Sequence, residues 1–261
     1  MYAFDFERPK TLADAVKAMT DEDAVMLSGG QTLIPSLKQR LAMPSKLVSL
    51  TGIDEIKGIC TDDEGRVCIG AATIHADVAA QTHYPALAAL AGNVGDPAVR
   101  NRGTIGGSLA NNDPSACYPA AALGSGAVIR TDKREIAADD YFTGMFETAL
   151  EEGEILTEIK FPVPEKAAYM KFEQPASRFA LVGVFVAKYA DGVRVAVTGA
   201  SNEGVFRWSE AEAALGSDFS AGAVEGLKLD GSNMISDVHG SGDYRAHIAA
   251  VMTKRAVAKA G

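Results

Sequence analysis

Two short stretches carry the residue types that could hold an anion: Ser28-Gly29-Gly30-Gln31-Thr32 and Thr104-Ile105-Gly106-Gly107-Ser108. Each is a Gly-Gly pair flanked by small hydroxyl residues. Consecutive glycines can turn successive main-chain N–H groups into one concavity, and the missing Cβ lets a phosphate approach the backbone. A helix that follows adds the positive end of its dipole. Hydroxyl neighbours add donors of adjustable direction. Two such loops facing each other would clamp a diphosphate with no Lys or Arg in the clamp. The competing reading is a pair of tight turns. At this glycine content two such pairs arise by chance, so the flanking residues carry the signal. No GxGxxG follows a strand and no GxxxxGK[ST] occurs, so neither the dinucleotide fingerprint nor the P-loop explains them.

The elements that must position these loops follow from periodicity and punctuation. Residues 24–28, "AVMLS", read as a strand running into Gly29-Gly30, and "QTLIPSLKQRL" after it as a short helix with Pro35 in its first turn. "TLADAVKAM" reads as a helix capped by Thr11, with Asp14 in capping-box position. "KLVSL" is a strand, and "IKGICTDDEGRVCIGAA" is a hairpin around an acidic turn. "HADVAAQ" and "YPALAALAGNV" read as helices, and "YPAAALGSGAVIRT" as helix, turn and strand. The second glycine pair is thus expected as a flexible loop between helical segments. "EGEILTEIKFPVP" is a strand ended by prolines, and residues 162–165 form the expected domain boundary. Beyond it, "AYMKFEQ", "GVFVAKYADGVRVAVTGA" and "GVFRW" read as antiparallel strands with Asp191-Gly192 at a hairpin turn. "SEAEAALG" and the Ala-rich tail read as helices.

Bulk properties bound the function class. A chain of 261 residues fits two domains. A net charge of −9 argues against a general nucleic-acid or anionic-membrane binder. The three cysteines, Cys60, Cys68 and Cys117, contain no CxxC and match no zinc or iron–sulfur spacing. Their odd number, with no leader-like apolar run at the start, points to a reducing cytoplasm. No stretch is apolar enough for a transmembrane helix.

The stretches "LSGGQTLIPSLKQRLAMPSKLVSL", "DPAVRNRGTIGGSLANNDPSACYPAAAL" and "KFEQPASRFALVGVFVA", in that order, resemble the FAD-binding medium subunit of molybdenum hydroxylases, the carbon monoxide and xanthine dehydrogenase relatives. The resemblance runs from about Phe4 to the C-terminus. It implies an α+β chain: a two-lobed FAD-binding domain of the vanillyl-alcohol-oxidase (PCMH) type over residues 1–164, and a smaller α+β domain with an antiparallel sheet over 165–261. It implies that Ser28, Gly29, Gly30, Gln31 and Thr32 form one FAD loop, with Leu33 and Ile34 continuing it along the cofactor. Thr104, Ile105, Gly106, Gly107 and Ser108 would form the other. Leu156 matches a position beside the isoalloxazine ring, and Lys171 a basic position near the domain junction. Where many relatives carry an Asp after the second loop, this chain has Cys117, a weak acceptor. Either Asn112 or Asp113 replaces that acceptor, or one polar contact is lost.

The implied function is redox. FAD in this chain would take electrons from the [2Fe–2S] clusters of a small subunit, fed by a molybdenum-cofactor large subunit, and pass them to a quinone, NAD⁺ or oxygen. The implied assembly is a dimer of heterotrimers in the cytoplasm, with no catalytic acid or base required of this chain. Two other readings stay open: a non-redox assembly subunit with a decayed FAD site, and a stand-alone FAD oxidoreductase of related fold. Several remaining residues have plainer expected roles. His75 reads as a helix-end hydrogen-bonding group, and Arg100 and Arg102 as phosphate-neutralising or ion-paired. Asp139-Asp140 reads as a helix start, Trp208 and Phe206 as packing. His83, His239 and His247 lack ligand-spaced partners.

Overall fold

The capping box at Thr11 forms: the Asp14 N–H donates to Thr11 Oγ1 at 3.1 Å, and the Thr11 hydroxyl donates to the Asp14 carboxylate at 2.8 Å. In this computed structural model, which describes residues 1–261, that helix is α1 (Leu12–Ala18) of a small first lobe. The lobe alternates β1 (Asp5–Glu7), α1, β2 (Ala24–Leu27), α2 (Leu33–Lys38) and β3 (Lys46–Ser49). Its strands are parallel, in the order β1-β3-β2. Strand β1 was not legible in the sequence, because its DFE is too short and polar to show alternation. Pro35 sits in the first turn of α2, where its missing N–H costs nothing.

The second lobe is built on an antiparallel sheet of order β4-β5-β10-β6-β7. Its strands are β4 (Ile59–Thr61), β5 (Val67–Gly70), β6 (Val128–Thr131), β7 (Glu135–Ala137) and β10 (Leu156–Phe161), with β8 (Phe142–Gly144) and β9 (Glu147–Thr148) as a separate small ribbon. Its helices are α3 (His75–Ala80), α4 (Pro85–Gly92), α5 (Pro97–Arg100), α6 (Ile105–Asn111), α7 (Tyr118–Ser125) and α8 (Ala138–Tyr141). The acidic hairpin forms as expected: the Asp62 carboxylate accepts from the Glu64 and Arg66 N–H groups and closes the β4–β5 turn.

The third unit is an antiparallel meander of β11 (Lys166–Glu173), β12 (Ala180–Tyr189), β13 (Gly192–Ser201) and β14 (Gly204–Arg207). Helices α9 (Ser209–Ser217) and α10 (Gly242–Ala260) follow, and α10 lies across β11 and β12. Tyr189 pairs with Gly192, so the hairpin turn falls on Ala190-Asp191, one residue earlier than the Asp-Gly signal suggested. The meander is not an independent block. Every residue of α7 is buried, and Tyr169, Phe185 and Ala196 of the meander share one core with Tyr118 and Ala122 of α7. Trp208 is buried in a second core between the meander and α10, which is the packing role its sequence context suggested.

Candidate functional site

Strand β2 delivers the first glycine loop to the mouth of a cleft of about 760 Å³, and β10 supplies part of the opposite wall. Leaving β2, the chain turns through Ser28–Thr32 before α2 begins. Gly30 takes φ +72, which only glycine adopts freely. No main-chain N–H from Ser28 to Thr32 donates to a protein acceptor. The Gln31 amide folds back on the Gly29 carbonyl at 3.3 Å, and all five residues line the cleft. Unsatisfied consecutive N–H groups beside a helix start are what an anionic ligand requires.

The second loop behaves differently. It is not a loop but the start of a helix: Ile105–Asn111 is α6, capped by Thr104, whose Oγ1 accepts from the Gly107 N–H at 3.1 Å. Its amides are already used. Ile105 N–H donates to the Thr73 carbonyl, Gly106 N–H to Ala71, and Ser108 N–H to Thr104. The two glycines therefore do different jobs. A Cβ on Gly106 would lie 2.5 Å from the Ala71 Cβ, so Gly106 lets α6 dock on the chain leaving β5. Gly107 faces Thr104 and Ser28 instead. The expectation of two equivalent amide nests gives way to one: donors from the first loop, and hydroxyls from the second.

The two stretches do meet. Ser28 Oγ and Thr104 Oγ1 share a hydrogen bond of 2.7 Å across 76 residues of sequence. Gly29 packs so tightly that a Cβ there would sit 2.3 Å from the Arg102 carbonyl oxygen and 2.5 Å from Gly103 Cα. That contact, not ligand approach, explains Gly29.

Placement of the other sequence candidates is mixed. Ser28, Gly29, Gly30, Gln31, Thr32, Leu33, Thr104, Gly106, Gly107, Ser108, Asp113, Cys117 and Leu156 all line the cleft. Ile34, Ile105, Asn112 and Lys171 do not. Ile34 tucks its side chain under Gly30. Ile105 is fully buried in the lobe core. Asn112, in left-handed conformation at the end of α6, donates to the Gly144 and Glu147 carbonyls at 2.9 and 2.8 Å and anchors the β8–β9 ribbon. Lys171 is nearly buried and donates to the Asn93 and Arg178 carbonyls at 2.6 and 2.7 Å. It holds the turn over residues 174–179, which carries Arg178 and Phe179 into the cleft wall. Sequence reasoning missed those two; the signal was the "PASRFA" segment itself.

Of the two substitutes for the acceptor lost at Cys117, only Asp113 is placed to serve. Its Oδ1 accepts from the Ser115 N–H at 2.8 Å, which orients the carboxylate, and its Oδ2 has no protein partner. Cys117 itself is buried, and burial pushes its thiol pKa up, so it stays a neutral, weak acceptor.

His75 and Arg100 correct two further expectations. The main-chain N–H of His75, not its ring, makes the helix-start bond, to the Gly103 carbonyl at 2.9 Å. The ring lies 5.2 Å from Tyr118 centroid to centroid, and its Nδ1 has no partner. Burial, helped by Arg100, lowers the imidazole to about 4, so it is neutral at physiological pH. Arg100 donates to the Val94 and Gly95 carbonyls at 3.1 and 3.0 Å, holding the turn before α5 rather than an ion pair. Asp139 does open a helix, α8, and pairs with Arg194 and Arg207 of the meander.

Residues 2–164 match the family model described as the FAD binding domain in molybdopterin dehydrogenase. The carbon monoxide dehydrogenase medium chain of Hydrogenophaga pseudoflava is 32% identical over 276 residues, 97% of this chain and 96% of that one. The nicotine 6-hydroxylase medium subunit of Paenarthrobacter nicotinovorans is 32% identical over 279 residues, 99% of this chain and 98% of that one. Among solved structures, reconstituted CO dehydrogenase from Oligotropha carboxidovorans superimposes with a TM-score of 0.89 at 33% identity, covering 99% of this chain and 98% of that one. Quinoline 2-oxidoreductase from Pseudomonas putida 86 gives 0.87 at 30% identity, with 99% and 97% covered.

Proposed function

The chain belongs to the family of FAD-binding domains of molybdopterin dehydrogenases, and from that membership we propose how its cleft serves a flavoprotein subunit of a molybdenum hydroxylase. The fold is the two-lobed FAD-binding type with a smaller C-terminal domain, as in the carbon monoxide dehydrogenase medium subunit. When bound, FAD supplies the redox chemistry that links the iron–sulfur clusters of a partner subunit to an external electron acceptor.

The residues present suit that cofactor. The observation that carries the reading is the run of main-chain N–H groups from Ser28 to Thr32 without protein acceptors, at the edge of a cleft of cofactor size. These donors bind the diphosphate. Thr104 and Ser108 offer hydroxyls from the facing side and Ser28 one from the loop itself, and Asp113 Oδ2 accepts from a cofactor hydroxyl in place of the Asp that Cys117 replaces. Leu156 and Leu150 form an apolar wall that excludes water from the ring. Leu33 closes the first loop side. Ile34, Ile105, Asn112 and Lys171 act one step removed: they shape the loop, the helix and the Arg178 turn. Arg178 places a cation at the mouth of an otherwise acidic molecule.

Partners follow from the relatives' names, which are medium chains and medium subunits. The subunit works beside an iron–sulfur small subunit and a molybdenum-cofactor large subunit, arranged as a dimer of heterotrimers in the cytoplasm. Support for a covering partner comes from Leu41 and Phe179, which rim the cleft at 75% and 54% exposure. No helix is long and apolar enough to cross a membrane.

The test is a fluorescence titration of FAD into the FAD-stripped protein and its Gly29→Val variant, with Val238→Ser as a surface control. The wild type and control bind one FAD per chain. In Gly29→Val the branched side chain meets the Arg102 carbonyl, parts the two stretches and abolishes binding. A wild type that binds no FAD supports the decayed-site reading instead. Purification without any iron–sulfur partner supports the stand-alone one.

A further inference from the structure

The β4–β5 hairpin does something its spacing hides. Cys60 and Cys68, with seven residues between them, match no zinc spacing in sequence, yet they are directly opposed partners in the antiparallel ladder. Side chains of opposed residues leave the sheet on the same face. The third strand adds Glu158, whose carboxylate stands on that face of β10 beside Cys68. The two Sγ atoms and a Glu158 oxygen all lie within 4.8 Å of one another. On one tetrahedral ion with Zn–S bonds of about 2.3 Å, ligand atoms stand roughly 3.8 Å apart, so small side-chain rotations close the set.

We propose that Cys60, Cys68 and Glu158 form a three-ligand site for a thiophilic divalent cation of the Zn²⁺ class, with solvent in the fourth position. The donor set is right for it: two thiolates select a soft or borderline metal and balance its two positive charges, and one carboxylate adds the third ligand. Access is open, because Cys60 is exposed while Cys68 is buried beneath it. The surrounding charges are Asp62, Arg66, Arg130 and the Lys160–Glu135 pair. Arg66 is held by the Asp62 carboxylate at 2.8 Å, and Lys160 by Glu135 at 2.6 Å. Arg130 approaches Glu158 only loosely, at 3.8 Å, so that carboxylate is free to turn to a metal.

The same surroundings favour a cation: the carboxylates of Glu158 and Asp62 stand beside the sulfurs, Asp62 accepting from the Cys68 thiol at 3.6 Å, and attract an ion that displaces the thiol protons. The ion releases both thiol protons to solvent on binding, with no change in oxidation state. It would tie β4, the short edge strand, to β5 and β10.

The test is equilibrium dialysis of the reduced full-length protein against Zn²⁺ with elemental analysis, together with Co²⁺ difference absorption and proton release in weak buffer. One Zn²⁺ per chain, a thiolate-to-cobalt charge-transfer band and release of about two protons per ion are expected. Cys60→Ser and Glu158→Gln should each weaken Zn²⁺ binding by more than about tenfold, the least that loss of even an outer-shell partner costs. His239→Ala should bind as the wild type does. Cys60 is exposed, so its Ser variant folds, and an unchanged thermal midpoint without metal checks that. Zn²⁺ binding equal in wild type and Cys60→Ser overturns the proposal. So does the absence of the cobalt band, or a Cys60–Cys68 disulfide whose reduced form takes up no cation.

Discussion

Two buried ionisable side chains both weaken the fold in acid, each in its own pH window. His75 is neutral in the folded protein, with its pKa lowered from 6.5 to about 4. The unfolded chain binds the extra proton first. The stabilisation is therefore complete above pH 6.5, falls as pH drops through the window between the two values, and is gone near 4, a loss of about 3 kcal/mol. Glu154 is held down to about 2, chiefly by Arg134, which donates from Nε and Nη2 at 3.0 Å each; Thr131 Oγ1 and the Glu151 N–H add bonds of 2.7 Å. Its contribution is present above about pH 4.5 and lost as pH falls toward 2, at most about 3 kcal/mol. Urea unfolding of His75→Gln at stepped pH should show a flatter profile between pH 6.5 and 4 than the wild type. Glu154→Gln should flatten only the lower window. Equal slopes in the first window would mean that His75 is charged in the fold. Neither effect could be read from sequence: His75 packs against Gly103 and Tyr118, and Glu154 is separated from Arg134 by β7, α8 and the β8–β9 ribbon.

At the scale of elements, the helix α6 was the least legible feature. Glycine in a helix interior costs about 1 kcal/mol relative to alanine, so two in succession read as a loop. Tertiary contact overrides the local cost: Gly106 permits the approach to Ala71, and Thr104 caps the turn. The first loop was legible because strand, Gly-Gly and helix stand in immediate succession, and its amides are open as expected. The acidic hairpin was legible from its turn residues, while the side-by-side placement of its two cysteines was not, since it needs the register as well. Gly106→Ala should therefore lower stability by about 1–3 kcal/mol through overpacking against Ala71, seen as a fall in the thermal midpoint, and should weaken FAD binding by displacing α6. An unchanged midpoint would show that α6 has room to move.

Across the whole molecule, the C-terminal meander grips the segment that carries Asp113 and Cys117. Gly199 N–H donates to the Pro114 carbonyl at 2.7 Å, and Thr198 Oγ1 lies 2.9 Å from the carbonyls of Pro114 and Ala116. Together with the fully buried α7, this makes the cleft a product of both halves of the chain. The prolines near residue 164 suggest a boundary, but the core shared across it was not legible, because α7 is apolar on all sides and shows no face to assign. A fragment ending at Pro164 should fail to give dispersed amide resonances, and Thr198→Val should cost about 1–3 kcal/mol by removing the hydroxyl donor shared by the Pro114 and Ala116 carbonyls, of which Pro114 keeps the Gly199 N–H. Cofactor binding rests on the unpaired amides between Ser28 and Thr32. A crystal structure of the FAD-loaded protein tests it most directly: diphosphate oxygens within hydrogen-bonding distance of those N–H groups are predicted, whereas a diphosphate lying elsewhere while those amides stay unpaired would contradict it.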